Sequence, residues 1–194
     1  MSLTQLALPA VLLAAYAGTA LAKPVTYQCD PNHTHPSFAA DHMGGLSVWR
    51  GTFGKTACTI VLDEAAHTGT VKVTVDTSSI DFGLAKLDED AQGPALFDVA
   101  KYPTATYEGT LADFVNGKPT KVVGHFTLHG VTRPLTLTVR SFLCKEVAMQ
   151  HQYRCGADAA AQFERDQYGM DFGKAFGFQM WVRLKIQVEA VRQS

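Results

Sequence analysis

The chain has no excess of charge of either sign: 17 Lys and Arg stand against 18 Asp and Glu, a formal net charge of −1. A protein without a basic stripe has little with which to neutralise phosphates, so nucleic acid and an anionic membrane surface are excluded as principal partners. There is no Gly-x-Ser-x-Gly elbow for a serine nucleophile and no glycine-rich phosphate loop at a strand-to-helix junction. Cysteine is sparse, and none of the four has the Cys-x-x-Cys spacing of a metal knuckle or a covalent haem attachment. Repeats, low-complexity tracts and interdomain linkers are missing too, so 194 residues read as one domain with a sizeable core. Amphipathic helical patterning is scarce, limited to short stretches near Leu84 to Ala91 and Pro94 to Asp98.

What is present is alternation. Val122, Gly124, Phe126 and Leu128 alternate with Val123, His125, Thr127 and His129. After a turn, Leu135, Leu137 and Val139 alternate with Thr136, Thr138 and Arg140. A period of two marks half-buried antiparallel strands. Gly130 and Pro134 mark His129 to Pro134 as a connection, so the stretch predicts a β-hairpin. Eight such runs follow one another. The first, Val25 to Asp30, resumes near Phe38. The second runs from Ser47 to Leu62 with a bend at Gly51 and Gly54. The third centres on Val71, Val73 and Val75, and the fourth covers Thr104 to Thr110. The hairpin arms, Tyr153 to Arg165 and Phe178 to Val191 complete the set. Regular strands with one apolar face predict a sandwich or a closed antiparallel barrel. Closure is favoured, because strands this long would otherwise expose their edges.

Residues 1–22 read as a signal peptide: Leu6 to Leu21 is uncharged and apolar, and Ala20-Leu21-Ala22 offers small residues for cleavage. No Lys or Arg precedes that run, which departs from the usual pattern. The expectation is an exported domain, residues 23–194, in the periplasm or secreted, without stable membrane insertion. In an oxidising compartment an even cysteine count favours disulfides. Four cysteines allow three connectivities. Cys144 with Cys155 would clamp the base of a hairpin, and Cys29 with Cys58 would then join the first two strands.

Leu128-His129-Gly130-Val131-Thr132-Arg133-Pro134 resembles a hallmark of the YceI-like family of secreted lipid-binding β-barrels. Tyr27 to Thr34, Phe38, Asp41 to Gly45, Gly51 to Gly54, Ile60 to Asp63, Asp76 to Ile80, Phe97 to Thr104 and Arg165 to Met170 continue the likeness in order. Each motif is short. Their order and spacing carry the signal. The resemblance implies an all-β, eight-stranded antiparallel, lipocalin-like β-barrel with a short helical insertion between strands three and four. It further implies a carrier, not an enzyme, that holds a long polyisoprenoid, an isoprenoid quinone or a fatty-acid-like lipid in an apolar tunnel, with no cofactor besides that ligand.

The 11 Phe and 5 Met suit such a lining, being large and adaptable. Phe38, Phe53, Phe97, Phe126, Phe163, Met170 and Met180 are expected along the tunnel, with Phe172 and Phe176 on a flap at its mouth. His42 is expected against a ligand head group. The rival expectation is a haem- or metal-linked redox protein using His33, His35 and His42. No acidic residue stands at a recognisable spacing from them. His125 and His129 fall on the polar parity and read as solvated. Arg165 and Asp166 read as an ion pair at a strand end. A homodimer and a transient contact with a membrane redox protein are the expected partners besides the lipid.

Overall fold

The computed structural model describes residues 23–193. The proposed signal peptide therefore lies outside the described residues. Eleven strand segments are present: β1 (Val25–Cys29), β2 (His35–His42), β3 (Ser47–Phe53), β4 (Thr56–Asp63), β5 (Thr68–Asp76), β6 (Ile80–Asp81), β7 (Thr104–Val115), β8 (Lys118–Leu128), β9 (Val131–Val147), β10 (Gln152–Glu164) and β11 (Trp181–Arg192). Among the described residues one α-helix, α1 (Ala85–Gln92), lies between β6 and β7. β11 pairs with β1 and β2, β1 with β4, β2 with β3, β3 with β6, and β4 with β5. The pairs β1/β2, β3/β4 and β5/β6 are thus three interrupted strands. With β7 to β11 they make an eight-stranded antiparallel barrel, closed where β1 and β2 meet β11.

The three interruptions lie side by side, and each has a local cause. Between β1 and β2, Pro31 lacks a donor, and Asp30 accepts the Asn32 N–H at 3.0 Å. Between β3 and β4, the N–H groups of Gly54 and Lys55 turn aside to Ser79, each at 3.0 Å. Between β5 and β6, the Asp76 carboxylate caps the turn Thr77–Ser79 through the Ser78 N–H at 2.9 Å. The expected single second strand, Ser47 to Leu62, is therefore divided. The inward parity changes with it, from Trp49 and Phe53 on β3 to Thr56, Cys58 and Ile60 on β4.

The hairpin is tighter than the sequence suggests. His129 and Gly130 both hold positive φ, 51° and 74°, and pairing resumes at once between Leu128 and Val131. Val131 to Pro134 is strand, not connection. β9 meets β10 only from Thr138 onward, so Pro134 sits on an open edge where its missing N–H is tolerated. Farther along, Asp158 pairs with Ser141 and Ala159 with Val139, leaving Arg140 as a bulge residue. That extra residue lets Val139 and Phe142 both face inward.

Both disulfides are formed as the hairpin reading suggested. Cys144 and Cys155 face each other in the β9–β10 ladder, and Cys29 to Cys58 joins β1 to β4. The core is the barrel interior. Tyr27, Leu62, Tyr107, Leu111, Val122, Leu135 and Leu137 form its largest buried cluster.

Candidate functional site

The barrel interior is not filled. A cavity of about 530 Å³ runs inside it, a volume suited to holding a small molecule. Its walls are the inward parities of the strands: Val71, Val73 and Val75 on β5, Phe126 and Leu128 on β8, Leu135 and Leu137 on β9, and Val182 to Val188 on alternate positions of β11. Alternation at a period of two delivers these residues to one face, and closure makes that face an interior. At one end Met43 and Phe172 line the cavity while remaining 56% and 50% exposed, so the cavity reaches the surface there. Leu87 and Ala91 of α1, with Leu96 and Phe97 beyond it, cover the same end. Toward the other end, Tyr27 and Leu62 are fully buried and border a separate hollow of about 320 Å³ with Lys23, Glu64 and Arg192 on its lip.

Aromatic rings surround the open end in edge-to-face or tilted contact. Phe38 meets Phe53 at 5.6 Å and Phe82 at 5.3 Å, Phe53 meets Phe97 at 5.7 Å, and Phe126 meets Phe163 at 5.4 Å. His42 packs between Trp49 at 5.3 Å and Phe178 at 5.6 Å, and its Nδ1 lies 3.3 Å from Ser47 Oγ. Two ionisable groups beside this cluster also border the cavity: Asp41, 7% exposed, and Arg165, 8% exposed. The Arg165 guanidinium donates to Met170 O at 2.7 Å and Phe172 O at 2.6 Å, fixing the segment that carries the mouth. Burial pushes that guanidinium below its ordinary value, while Asp166, Asp171 and Asp41 push it back.

The structure brings Phe38, His42, Phe53, Phe97, Phe126, Phe163, Met170 and Phe172 onto the cavity. It leaves two of the expected residues off it. Phe176 is 81% exposed on a short turn bounded by Gly173 and Gly177, both of which hold positive φ. Met180, just before β11, is buried but is not among the residues that border the cavity. Arg165 and Asp166 do not pair: Asp166 takes Lys174 at 2.6 Å instead. His129 is not solvated. It is half-buried in the hairpin turn, with Nδ1 3.2 Å from Tyr168 O and its ring 4.2 Å from that of Tyr102. His33 binds Asp30 at 2.9 Å and His35 the Asn32 carbonyl at 3.1 Å, both on the surface, while His42 faces the cavity. The three do not converge. Among the described residues no group of three or more His, Cys, Asp or Glu could hold a metal ion.

Sequence reasoning passed over Asp41, Trp49, Phe82, Arg165 and Phe178 as lining residues. Trp49 shares the parity of Phe53, a signal that was available. Phe82 lies outside regular strands, where no period points inward; Phe178 starts the last alternating run of the sequence, on the parity of Val182, although the strand itself begins at Trp181.

The YceI-like domain matches residues 27–190. The chain belongs to the YceI-like family. A UPF0312 protein of Pseudomonas paraeruginosa is 31% identical over 99% of this YceI-like chain and 98% of its own length, and a UPF0312 protein of Azotobacter vinelandii is equally similar. Among solved structures, BcnA of Burkholderia cenocepacia superposes with a TM-score of 0.65 at 20% identity, covering 83% of this chain and 98% of its own. A polyisoprenoid-binding domain from Saccharophagus degradans, implicated in plant cell wall breakdown, gives a TM-score of 0.61 at 13% identity over 87% and 99%. At such identities these two structures show the YceI-like fold alone.

Proposed function

We propose that this YceI-like protein is an exported carrier that holds the apolar chain of a polyisoprenoid, isoprenoid quinone or related lipid inside its barrel. One observation carries the reading: a cavity of about 530 Å³ with an almost wholly aliphatic and aromatic lining, in a barrel that could have been packed solid. Each methylene buried there contributes about 0.8 kcal/mol before ordering costs, so a few isoprene units suffice for micromolar binding. The polyisoprenoid-binding neighbour supports the ligand class. Two disulfides suit the oxidising compartment that export implies. No helix among the described residues is long and apolar enough to cross a membrane.

Mass spectrometry of an organic extract of the protein from its native host tests this reading. The expected result is a chain-bearing amphiphile in near-stoichiometric amount. Ligand-free protein, or stoichiometric iron or zinc lost on replacing His33, His35 and His42 by Ala, overturns it.

A further inference from the structure

Exposed apolar side chains gather at the end of the barrel where the cavity opens. Ten large hydrophobic side chains are exposed among the described residues, and five of them, Met43, Leu46, Val48, Phe172 and Phe176, sit in or beside two turns there. One turn, 43–46, joins β2 to β3, and the other, 171–178, leads toward β11. Leu46 is 76% and Phe176 81% exposed, and neither borders the cavity, so the ligand site does not account for them. Exposed apolar residues scattered singly are ordinary, whereas a group gathered at one place marks a contact surface.

The two turns are fastened into one tip. Asp41 Oδ2 accepts the backbone N–H groups of Gly44 and Gln179, each at 2.9 Å, and His42 packs against Phe178. Gly44 lies so close to the second turn that a Cβ on it would stand 2.9 Å from the Gly177 carbonyl oxygen. Both tryptophans of the chain stand at the base of this tip. Trp49 lies beside His42, and Trp181 is half-buried on the outer parity of β11, its Nε1 donating to Gln179 Oε1 at 2.8 Å. An indole with its N–H satisfied and its apolar body partly in the open is the side chain that favours a boundary between hydrocarbon and water. Charge is nearly absent. The two turns carry only Asp171 and Lys174, and Lys174 is bound to Asp166 at 2.6 Å.

We propose that this tip docks reversibly on the surface of a lipid bilayer, with Leu46 and Phe176 entering the headgroup boundary and the cavity mouth facing the membrane. The proposal rests on the carrier reading and adds where the ligand is exchanged. Met43 and Phe172 belong both to the exposed rim and to the cavity wall, so apolar side chains lead from the outer surface into the barrel. An isoprenoid chain that left a bilayer through water would expose its methylenes one after another, and a mouth held against the bilayer spares that exposure. A second copy of the chain seated on the same rim would instead close the entrance that the ligand needs. With no excess of cations on the turns, attachment comes from apolar burial, and it requires neither anionic lipid nor low salt. So small an inserted surface binds weakly and lets go.

The test floats protein stripped of lipid with vesicles of pure phosphatidylcholine, at low and at high salt. Partial binding, the same at both salts, is expected. Leu46→Ser and Phe176→Ser combined in one chain are expected to weaken it about tenfold or more. Farnesol titrated without vesicles, read by quenching of Trp49, is expected to bind the wild type and the variant equally, because neither substituted residue borders the cavity. Both substitutions fall at exposed positions, and the wild-type arm stands without them. Four results overturn the docking: no vesicle binding by the wild type, binding that needs phosphatidylglycerol and is lost at high salt, equal binding by the variant, or a dimer in sedimentation velocity that the variant dissolves. Farnesol uptake alongside any of these leaves the carrier reading intact. Wild-type protein that binds vesicles but no farnesol overturns the carrier reading and leaves the docking.

Discussion

Tyr107 and Gly124 work as one unit in the barrel wall. The Tyr107 hydroxyl lies 2.9 Å from Val122 O and 3.0 Å from Leu135 O, so a side chain of β7 reaches across β8 to β9. Burial pushes this phenol up to about 12, which keeps it a donor throughout the physiological range. Gly124 makes the crossing possible: a Cβ there would collide with the Glu108 carbonyl, stand 2.7 Å from Gly109 Cα and 2.8 Å from the Tyr107 oxygen. Gly124→Ala is expected to destabilise the fold by about 1–3 kcal/mol through overpacking, measured as a lowered denaturant midpoint. At the closure seam, Asp30 meets His33 and Arg154, each at 2.9 Å, and Arg154 also reaches Glu189 of β11 at 3.3 Å. The hydrogen bond from His33, with those from Asn32 and Arg154, lowers the Asp30 carboxyl from 3.8 to about 2. Its folded value lies below its unfolded one, so its contribution to stability is present above pH 3.8 and is lost as pH falls through about 2. Asp30→Asn is expected to flatten that part of the acid unfolding curve. An unchanged curve would mean that other carboxylates govern it.

At the scale of the element, parity assigns roles strand by strand. Phe126 of β8 lines the cavity and touches Phe163 and Tyr168, whereas Val123 of the same strand is 51% exposed. Phe126→Gln is expected to abolish lipid retention during purification, and Val123→Thr to leave it unchanged, with folding of both checked by circular dichroism. Thr127 is a poorer outward control, because its hydroxyl shares a 2.8 Å hydrogen bond with Thr132 across the hairpin. A folded Phe126→Gln protein with a full complement of lipid would refute the lining. The interrupted strands follow a different logic. At 30–34, 54–55 and 77–79 the ladder breaks because Asp30, Ser79 and Asp76 offer the backbone other partners. These breaks, with the bulge at Arg140, decide which residues face inward beyond them.

For the whole molecule, an unfilled barrel leaves stability to be gained on filling. A ligand that binds only the folded state adds about 4 kcal/mol when present at a thousand times its dissociation constant. Protein stripped of lipid is therefore expected to melt several degrees lower than the purified form, and to recover on adding a long-chain polyprenol. Calorimetry before and after extraction checks this. Identical melting of the two forms would show the cavity to be indifferent to its contents.

The sequence by itself marked eight strand runs and a short helical stretch between the third and fourth, and it favoured the two disulfide pairs that form. Most of this rests on short-range facts: a period of two, the turn chemistry of Gly and Pro, and one cysteine pair, Cys144 and Cys155, at the base of a hairpin. It also marked most of the lining, since parity carries over into the interior once the sheet closes. Only the tertiary structure decided where parity resets, because Gly54 and Lys55 answer to Ser79, distant in the chain. Only it could show that Phe176 turns outward, that Arg165 holds the mouth segment in place of pairing with Asp166, and that one oxygen of Asp41 lies buried without a partner. Those outcomes depend on which side chains and carbonyl groups meet when the barrel closes, and no local pattern in the chain encodes that meeting.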